Sequence, residues 1–464
     1  MVGVLTLLAA ETASAFPARP TEAEGGRLKV KNTRFVAHLA LKGGFNGDVW
    51  FHRDTIYVGG WGRTAAHCPV NGVRVIDVRD PAAPRVLARF GRFPGTTSED
   101  VWVGEISTDS FEGDVAVVGI QLCDTSFEGM DKPTFRGLAV YDVTNPLQPT
   151  LLSRLSSGRV SHGVHELTAV QRADGRVLVL ESTPRTFEMT DGATGDVRII
   201  EITDPRRPVE LVDWDIRRDA PPSVRSRLRS ERSENELFAH SAWPFADGTK
   251  MFASHWDAGA VFLDISQPKR PRYLSRTPYG SKAEGNAHSG WLSADETLFI
   301  QNDEVFRPSR PFPRPSRQKE WGYQRFYDVS DPSRPRRLGT FATENAVEGD
   351  DGRIPENGYY AVHNNIVVGG LEYASWYSDG VRIVDLADPT HPTEIGFFIP
   401  PPQSDPQGFI VAPDGNRDLT LVWGVAIGDD PEIVYAIDMN SGLWVFRVVA
   451  PIDVARPTVR IARR

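Results

Sequence analysis

The sequence predicts an all-β protein, a seven-bladed β-propeller with four-stranded blades. Three observations support this prediction: a recurrent phrase, a regular distance between its copies, and short β-rich segments that end at Gly, Pro or Asp. By length alone, 464 residues would suggest two or three domains. A repeat outweighs that expectation, because repeated units share one continuous core.

The recurrent phrase is an apolar, β-rich run that ends in an acidic residue and is followed by two prolines. One copy reads Gly72-Val-Arg-Val-Ile-Asp77, with Pro81 and Pro84 after it. The residues equivalent to Asp77 in the next five copies are Asp142, Glu201, Asp264, Asp328 and Asp385. Asp accepts backbone N–H bonds in tight turns and Pro presets φ there, so we expect these acids to be structural. The seventh copy carries Arg447 at this position.

Each unit contains four short strands. In the fourth unit they are expected at 239–244, 250–255, 260–265 and 271–276, and no segment of the chain shows sustained helical periodicity. Four antiparallel strands per unit, repeated radially, are typical of a β-propeller.

The two ends of the repeat region predict how the ring closes. The first strand, 34–41, has no three strands before it, and the last unit has only three strands, at 420–426, 433–437 and 443–448. We therefore expect the N-terminal strand to complete the last blade, which would remove the exposed edge strands. An open array of β-units is the alternative.

The phrase at 380–392, G-V-R-I-V-D-L-x-D-P-x-x-P, and its sister copies resemble the LVIVD repeat of exported bacterial and archaeal β-propellers. The resemblance extends from about residue 30 to residue 448. It implies the propeller fold and implies no particular activity.

The N-terminus resembles a truncated export signal. Residues 2–10 are apolar and Ala13-Ser14-Ala15 has the small residues of a cleavage site, although the positive n-region is missing. A disordered apolar tail is the alternative. We expect a signal peptide at 1–15, a flexible segment at 16–29, one propeller domain at 30–450 and a C-terminal tail at 451–464, in a secreted or cell-surface protein.

Two cysteines, Cys68 and Cys123, follow the second strands of adjacent repeats. One disulfide would suit an exported protein, and two unpaired buried thiols are the alternative.

The charge of the chain excludes some partners. A formal charge of −9 argues against nucleic acid and anionic membrane surfaces, which require a cationic footprint. Apart from the N-terminus, no apolar run approaches the roughly 20 residues of a membrane span. We expect a monomer whose partner is an unidentified small molecule or protein.

The long connections are expected on one face of the disc. They join strand two to strand three, or one blade to the next, and these two loop classes open on the same side of a propeller. They are 61–71, 124–136, 183–196, 217–236, 304–322, 343–358 and 400–417. Binding residues favour such loops on a rigid scaffold, although long surface loops are also tolerated because they cost little.

Four histidines occupy equivalent positions in consecutive repeats. His165, His240, His288 and His363 lie near the start of the first strand in units three to six. First strands line the central channel of a propeller, so the four imidazoles should point into one mouth of it. The nearest residues in the other units are Asn46, Asp48, Glu99, Asp100 and Trp423.

Imidazole is the commonest ligand of Zn, Cu and Fe. The four histidines therefore form a candidate site for a divalent transition metal. Two alternatives stay open: the histidines brace the ring by bonding the backbone of the adjoining blade, or they act in binding or acid–base chemistry without a metal.

Further candidates for ligand binding reach the same face, and we expect them around the channel mouth. They are Glu181, His255, Asp303, Trp376 and Trp423. No catalytic residue can be assigned, because the chain lacks a nucleophile elbow, a phosphate-binding loop and a Cys-x-x-Cys pair.

Two functions from different classes follow from this pattern. The first, narrowly favoured, is a binding or scaffold module whose ligand face is the long-loop mouth of the channel. The second is a metal-dependent enzyme, a hydrolase or an oxidoreductase, with the histidines around the metal.

Overall fold

Seven antiparallel sheets surround a central channel in the computed structural model of the chain. The structure describes residues 27–62, 68, 72–123, 134–158, 162–184, 195–231, 237–279, 285–305, 320–347, 349, 353–404 and 410–449. The predicted signal peptide, the predicted C-terminal tail and large parts of the long loops lie outside these residues.

The strands, numbered β1 to β32 in chain order, form seven blades. Blade 1 comprises β3 (Phe45–His52), β4 (Thr55–Trp61), β5 (Val73–Asp77) and β6 (Arg85–Phe90). Blade 2 comprises β8 (Val101–Ser107), β9 (Glu112–Leu122), β10 (Gly137–Asp142) and β11 (Thr150–Ser156), with the short β7 (Thr96–Thr97) paired to β9. Blade 3 comprises β12 (Leu167–Gln171), β13 (Val177–Ser182), β14 (Val197–Glu201) and β15 (Val209–Trp214).

The remaining blades repeat this order. Blade 4 comprises β16 (Ser241–Phe245), β17 (Lys250–Ser254), β18 (Ala260–Asp264) and β19 (Arg272–Arg276). Blade 5 comprises β20 (Ala287–Leu292), β21 (Leu298–Asp303), β22 (Gln324–Asp328) and β23 (Arg336–Phe341). Blade 6 comprises β24 (Asn365–Val368), β25 (Leu371–Ser375), β26 (Val381–Asp385) and β27 (Thr393–Ile399). Blade 7 comprises β30 (Val422–Ile427), β31 (Ile433–Asp438), β32 (Gly442–Val448) and β2 (Thr33–Leu39), while β28 (Gln403–Ser404) and β29 (Asp418–Leu419) form a separate two-stranded pair.

The ring closes through its N-terminal strand, as the sequence predicts. Strand β2 pairs antiparallel with β32, from Thr33 opposite Val448 to Leu39 opposite Leu443. The imidazole of His38 stacks on the buried indole of Trp444 at 3.9 Å between ring centroids. The first and last parts of the described chain therefore share one sheet, which leaves no open gap between the first and last blades.

One additional strand was not anticipated from the sequence. Strand β1 (Lys29–Lys31) pairs with the outer strand β27 of blade 6. Regular structure thus begins within the last residues of the segment that the sequence indicated as flexible.

Short helices occur between blades 3 and 4. They are α1 (Ile216–Asp219) and α2 (Pro222–Glu231), and a 3-10 turn covers Glu344–Ala346. Asp215 caps α1 by accepting the backbone N–H of Arg217 at 2.7 Å. Among the described residues, no helix is long and apolar enough to cross a membrane.

The acidic residues of the repeated phrase make turns. In each of five copies the carboxylate accepts the backbone N–H of the residue two positions later. These bonds are Asp77 to Arg79 at 3.1 Å, Asp142 to Thr144 at 2.9 Å, Asp264 to Ser266 at 2.9 Å, Asp328 to Ser330 at 3.0 Å and Asp385 to Ala387 at 2.9 Å. In the remaining copy, the third along the chain, Glu201 accepts a hydrogen bond from the hydroxyl of Thr203 at 3.0 Å. The acidic residues of the phrase are therefore turn signals, as the sequence predicts.

The core lies between blades, and each third strand is its centre. Strands β5 and β14 are almost wholly buried, whereas the fourth strand β15 is largely half-buried or exposed. Leu180 of blade 3 belongs to the same apolar cluster as Met251 of blade 4. Burying such a side chain stabilises the fold by about 1.5–3 kcal/mol, so each blade depends on its neighbours.

Cys68 and Cys123 form a disulfide, with their Cα atoms 5.5 Å apart. The bond joins the connection after β4 in blade 1 to the end of β9 in blade 2. Of the two alternatives left open by the sequence, the structure has the bonded one.

Candidate metal centre in the central channel

Four histidines are held at the channel mouth by a repeated backbone arrangement. The N–H groups of His165, His240 and His363 donate to the carbonyls of serines that end the second strands, Ser182, Ser254 and Ser375, at 3.0, 2.7 and 2.8 Å. His288 lies inside β20. The four residues thus enter the channel at one level because equivalent positions of the repeat carry them.

Serine hydroxyls link neighbouring blades at this level. Ser241 donates its hydroxyl to the carbonyl of His288 at 3.0 Å, and Ser182 and Ser289 donate theirs to the carbonyls of His240 and His363. These bonds use the backbone carbonyls of His240, His288 and His363 and not their imidazole rings.

The imidazoles are in contact with one another. Ring centroids lie 4.3 Å apart for His165 and His240, 3.8 Å for His240 and His288, and 4.2 Å for His288 and His363. Nε2 of His165 is 2.8 Å from Nε2 of His240. The sequence alignment of repeats therefore identified four residues that form one cluster, which we call the histidine cluster.

Carboxylates and a carbonyl orient three of these rings from behind. Nδ1 of His165 lies 2.7 Å from Oε2 of Glu99, and Nδ1 of His240 lies 3.3 Å from Oε1 of Glu166. Nδ1 of His363 lies 2.7 Å from the carbonyl oxygen of Trp423. A carbonyl only accepts hydrogen bonds, so Nδ1 of His363 carries the proton and its Nε2 presents a lone pair. Such outer partners fix the tautomer of metal-binding histidines.

Glu304 lies between His288 and His363. Its Oε2 is 3.5 Å from Nε2 of His288, and its Oε1 is 3.9 Å from Nε2 of His363. The phenol of Tyr377 donates to Oε1. Within the described residues, two triads bring their ligand atoms within 4.8 Å of one another: Glu166, His240 and His288, and His288, Glu304 and His363.

Burial dominates the electrostatics of the cluster. It raises the pKa of Glu304 to about 8 and that of Asp100 to about 7. It lowers the pKa of His363 to about 3, and lowers those of His240 and His288 well below the usual value. The site by itself therefore holds neutral imidazoles and carboxyls that resist ionisation.

Burial raises the pKa values of two further acids, whereas the pKa of one histidine is raised and not lowered. Burial, reinforced by neighbouring carboxylates, raises the pKa values of Asp48 and Glu166 well above the usual range. Burial also tends to lower the pKa of His165, but the charge of Glu99 and its hydrogen bond raise it overall. A cation in the cluster would reverse these tendencies, because its charge stabilises carboxylates.

An aromatic shell covers the histidine cluster. The indole of Trp423 lies 4.0 Å from the ring of His363, and Trp256 stacks near His240 at 5.6 Å, measured between centroids. Trp256 and Tyr377 occupy equivalent turns and both have a left-handed backbone, with φ of 38° and 40°. Such strain in bulky residues persists only where the surroundings enforce it, and it concentrates at functional sites.

Only one of the five predicted ligand-binding residues contacts the histidine cluster, and that is Trp423. Glu181 pairs with Arg198, and the pKa of this buried carboxyl is raised to about 7 by burial. Nε2 of His255 lies 3.6 Å from Oδ1 of Asp196.

The last two predicted ligand-binding residues, Asp303 and Trp376, also have partners outside the histidine cluster. Asp303 accepts a hydrogen bond from Nε of Arg325 at 2.6 Å and another from the Tyr279 hydroxyl at 2.6 Å. Trp376 is fully buried and meets the ring of Phe341 edge-on. A ligand-binding role for these four residues stays a prediction.

The predicted site residues do not include Glu166, Glu304 and Tyr377, which lie at the histidine cluster. Glu166 directly follows His165 in the sequence, and Glu304 directly follows strand β21. Tyr377-Ser-Asp-Gly380 repeats the pattern of Trp256-Asp-Ala-Gly259 two units earlier.

The channel next to the cluster contains a cavity of about 290 Å³. Its lining includes Asp48, Asp100 and Glu166 at the level of the histidine cluster. It extends along the first strands past the indoles of Trp50, Trp243 and Trp291.

The fold and this channel define the chain as a closed seven-bladed β-propeller with a buried cluster of histidines and acids. The LVIVD repeat pattern matches residues 367–398, which cover β25, β26 and most of β27. The chain is therefore a β-propeller that carries an LVIVD repeat, and this combination supports a binding or scaffold module.

Comparison with curated proteins gives no match. Among solved structures, the chain is similar to Raptor of Chaetomium thermophilum, with 12% identity and a TM-score of 0.54 over 91% of this chain and 30% of that one. It is also similar to the β-propeller domain of Cps50 (Swd1) of Myceliophteria thermophila, with 10% identity and a TM-score of 0.49 over 90% of this chain and all of that one. The likeness to Raptor supports the propeller fold alone.

Proposed function

We propose that the protein binds one divalent transition metal ion, Zn, Cu or Fe, through His165, His240, His288 and His363 at the mouth of its central channel. Glu99 and Glu166 face Nδ1 of His165 and His240, Glu304 faces Nε2 of His288 and His363, and all three offset the charge of the ion. Imidazole nitrogen suits all three metals.

The observation that carries the proposal is the state of Nε2 of His363. Its partner Nδ1 donates to the carbonyl of Trp423, so Nε2 has a lone pair. Nε2 is buried and accepts no hydrogen bond from the described residues. A buried acceptor without a donor costs about 1–3 kcal/mol, and a metal ion at this position would remove the cost.

The purely structural alternative expects imidazoles to bond the backbone of the adjoining blade. The ring of His363 bonds the carbonyl of Trp423, and the rings of His240 and His288 approach the backbone of His288 and His363. Nδ1 of His165 and of His240 also faces a carboxylate, which the structural alternative does not require. Carboxylates behind imidazoles are the usual second layer of a metal site.

The test is elemental analysis of protein purified without a metal-binding tag. We expect about one equivalent of Zn, Cu or Fe per chain in the wild type, and its loss in His240→Ala and in His363→Ala. His391→Ala is the matched control, because that side chain is 85% exposed in a turn far along the chain from the cluster. Thermal unfolding establishes that each variant is folded.

Two outcomes contradict the proposal. The first is a wild type that stays metal-free after incubation with each ion. The second is bound metal that survives in folded His240→Ala and His363→Ala. Where alanine prevents folding, His240→Gln retains bulk and polarity and makes the same comparison possible.

Metal-dependent hydrolysis or oxidation is the activity we propose for such a centre. A bound metal supplies Lewis acidity, and an open coordination position would admit water or substrate. Trp423, in contact with His363, would border that position. Assays with metal-loaded and chelator-treated protein separate an enzyme from a binding module.

We further propose that the protein is exported and monomeric and that its long-loop face binds a small molecule or protein. The Cys68–Cys123 disulfide supports an oxidising compartment. The half-buried Phe238, stacked on Trp256 at 4.9 Å, supports an aromatic contact surface beside the histidine cluster. Cell fractionation and size-exclusion chromatography test location and oligomeric state.

A further inference from the structure

We propose that the channel cavity next to the histidine cluster is a binding site for a small organic cation, an ammonium compound with an apolar body. This proposal goes beyond metal binding and does not depend on it. It rests on the shape, the aromatic lining and the charge of the cavity.

The cavity has the size of a small-molecule site. Its volume is about 290 Å³, at the lower end of the roughly 300–1,000 Å³ of ligand pockets. First strands of several blades form its wall, so its position is fixed by the rigid part of the fold. Side chains on such strands are held more firmly than those on loops.

Three indoles form a continuous aromatic arc along the cavity. The rings of Trp50 and Trp243 lie 6.0 Å apart, and those of Trp243 and Trp291 lie 4.8 Å apart, measured between centroids. Trp50 is fixed by a 2.7 Å hydrogen bond from its Nε1 to the carbonyl of Val103. Indole rings supply a large and rigid apolar surface for the body of the ligand.

The acids of the cavity favour a cation over an anion, because a bound ammonium group would stabilise their ionised forms against the effect of burial. Asp48, Asp100 and Glu166 line the end near the histidine cluster, and the lining in the described part of the chain contains no Lys or Arg. Oε1 of Glu166 is buried and makes no hydrogen bond to the described residues, although Nδ1 of His240 lies 3.3 Å away, and Glu166 as a whole is only 5% exposed. An ammonium N–H would supply the missing donor.

The other end of the cavity is apolar and half-buried. Phe51, Ile366 and Ile427 line it together with the indoles. These residues stand at or near the ends of first strands, where the short turns lead to the second strands. A ligand would therefore enter from the short-turn face, opposite to the long-loop mouth, with its ammonium group towards the acids.

The experiment is isothermal titration calorimetry at pH 7 on chelator-treated full-length protein. The probes are 2-phenylethylamine, which is a cation at this pH, 2-phenylethanol, which is neutral, and 3-phenylpropanoate, which is an anion. We expect the amine to bind at least about tenfold more tightly than the alcohol, a difference that corresponds to about 1.4 kcal/mol. The propanoate should not bind.

Two variants test the location. Asp48→Asn keeps the shape and removes a carboxylate, and should weaken amine binding about tenfold. Ala426→Leu adds volume at a cavity wall and should abolish binding of the amine. Glu112→Gln, an exposed acid on the edge of β9 away from the lining, is the control and should bind like the wild type.

The proposal is overturned by any of three results. These are no detectable binding of the amine at millimolar concentration, equal affinity for the amine and the alcohol, or amine binding that is unchanged in both Asp48→Asn and Ala426→Leu. Metal content is measured in the same preparations before chelation. Failure of this proposal is thereby distinguished from failure of the metal proposal.

Discussion

Nε2 of His165 lies 2.8 Å from Nε2 of His240. Two imidazole nitrogens at this distance cannot both present lone pairs, so one of them carries a proton in the metal-free protein. The pKa of His240 is lowered well below its usual value by burial, whereas Glu99 raises that of His165 against the effect of burial. His165 is therefore the donor and His240 the acceptor.

The shared proton leads to the first prediction, that metal binding releases a proton. A metal needs both lone pairs, so the proton between His165 and His240 must leave. We expect release of at least one proton per ion near pH 7, measured by calorimetry in two buffers of different ionisation enthalpy. A binding enthalpy that is independent of the buffer would contradict this arrangement of the two histidines.

The second prediction concerns Glu99, whose Oε2 lies 2.7 Å from Nδ1 of His165. Glu99→Gln should weaken metal affinity about 10–100-fold, because it removes the carboxylate that orients the ring and raises its basicity. Binding of one ion should persist at saturating metal. Competition with a chromophoric chelator measures the affinity, and Glu112→Gln provides the comparison at an exposed acid.

The third prediction is a pH dependence of stability from Glu372. This carboxyl is fully buried, and burial raises its pKa to about 7 despite hydrogen bonds from Asn365 and Gln324. Between the unfolded value of 4.5 and about 7, the folded state keeps a proton that the unfolded state loses. Stability should therefore fall as pH rises through this window, by on the order of 3 kcal/mol.

Glu372→Gln isolates this effect, because the amide mimics the protonated acid. We expect the stability of the variant to depend less on pH than that of the wild type, and to exceed it at pH 8. Urea unfolding at pH 5, 6, 7 and 8 measures the free energy of unfolding of both proteins. Equal slopes of stability against pH in both proteins would rule out the buried acid as the cause.

The fourth prediction concerns ring closure. Trp444 is 1% exposed on β32 and packs against the N-terminal strand through His38. Trp444→Ala should lower the free energy of unfolding by about 3–5 kcal/mol through the cavity it leaves.

The comparison for this variant is Leu147→Ala, at a side chain that is 59% exposed. Its effect should stay within about 0.5 kcal/mol. Denaturant unfolding measures both. A Trp444→Ala protein as stable as Leu147→Ala would mean that the closing strand contributes little to stability.

Much of the fold could be predicted from the sequence because each unit repeats the same local signals. The turn after Asp264 and the turn after Asp328 use the same bond from backbone N–H to carboxylate, so one copy predicts the others. Strand β1 was not predicted because its three residues are too few to show an alternating pattern. They become a strand by pairing with β27.

Only part of the candidate site could be predicted from the sequence. Repeat register placed His240 and His288 on equivalent strands, and they contact each other. The same reasoning placed Glu181 and Asp303 at the channel mouth, but each pairs with an arginine of its own blade. Register specifies which end of a strand a residue occupies, whereas the neighbour that satisfies a buried charge depends on side-chain packing.

The sequence by itself determined the number of blades, the closure of the ring and the level at which four histidines enter the channel. These features follow from periodicity and from backbone hydrogen bonding, which act locally and repeat. Tertiary structure alone decided that Glu99 and Glu166 stand behind two imidazoles, that Glu304 lies beside Nε2 of His288 and His363, and that Trp50, Trp243 and Trp291 line a cavity. Those contacts join residues from different blades, and their distances depend on how seven twisted sheets pack around one axis.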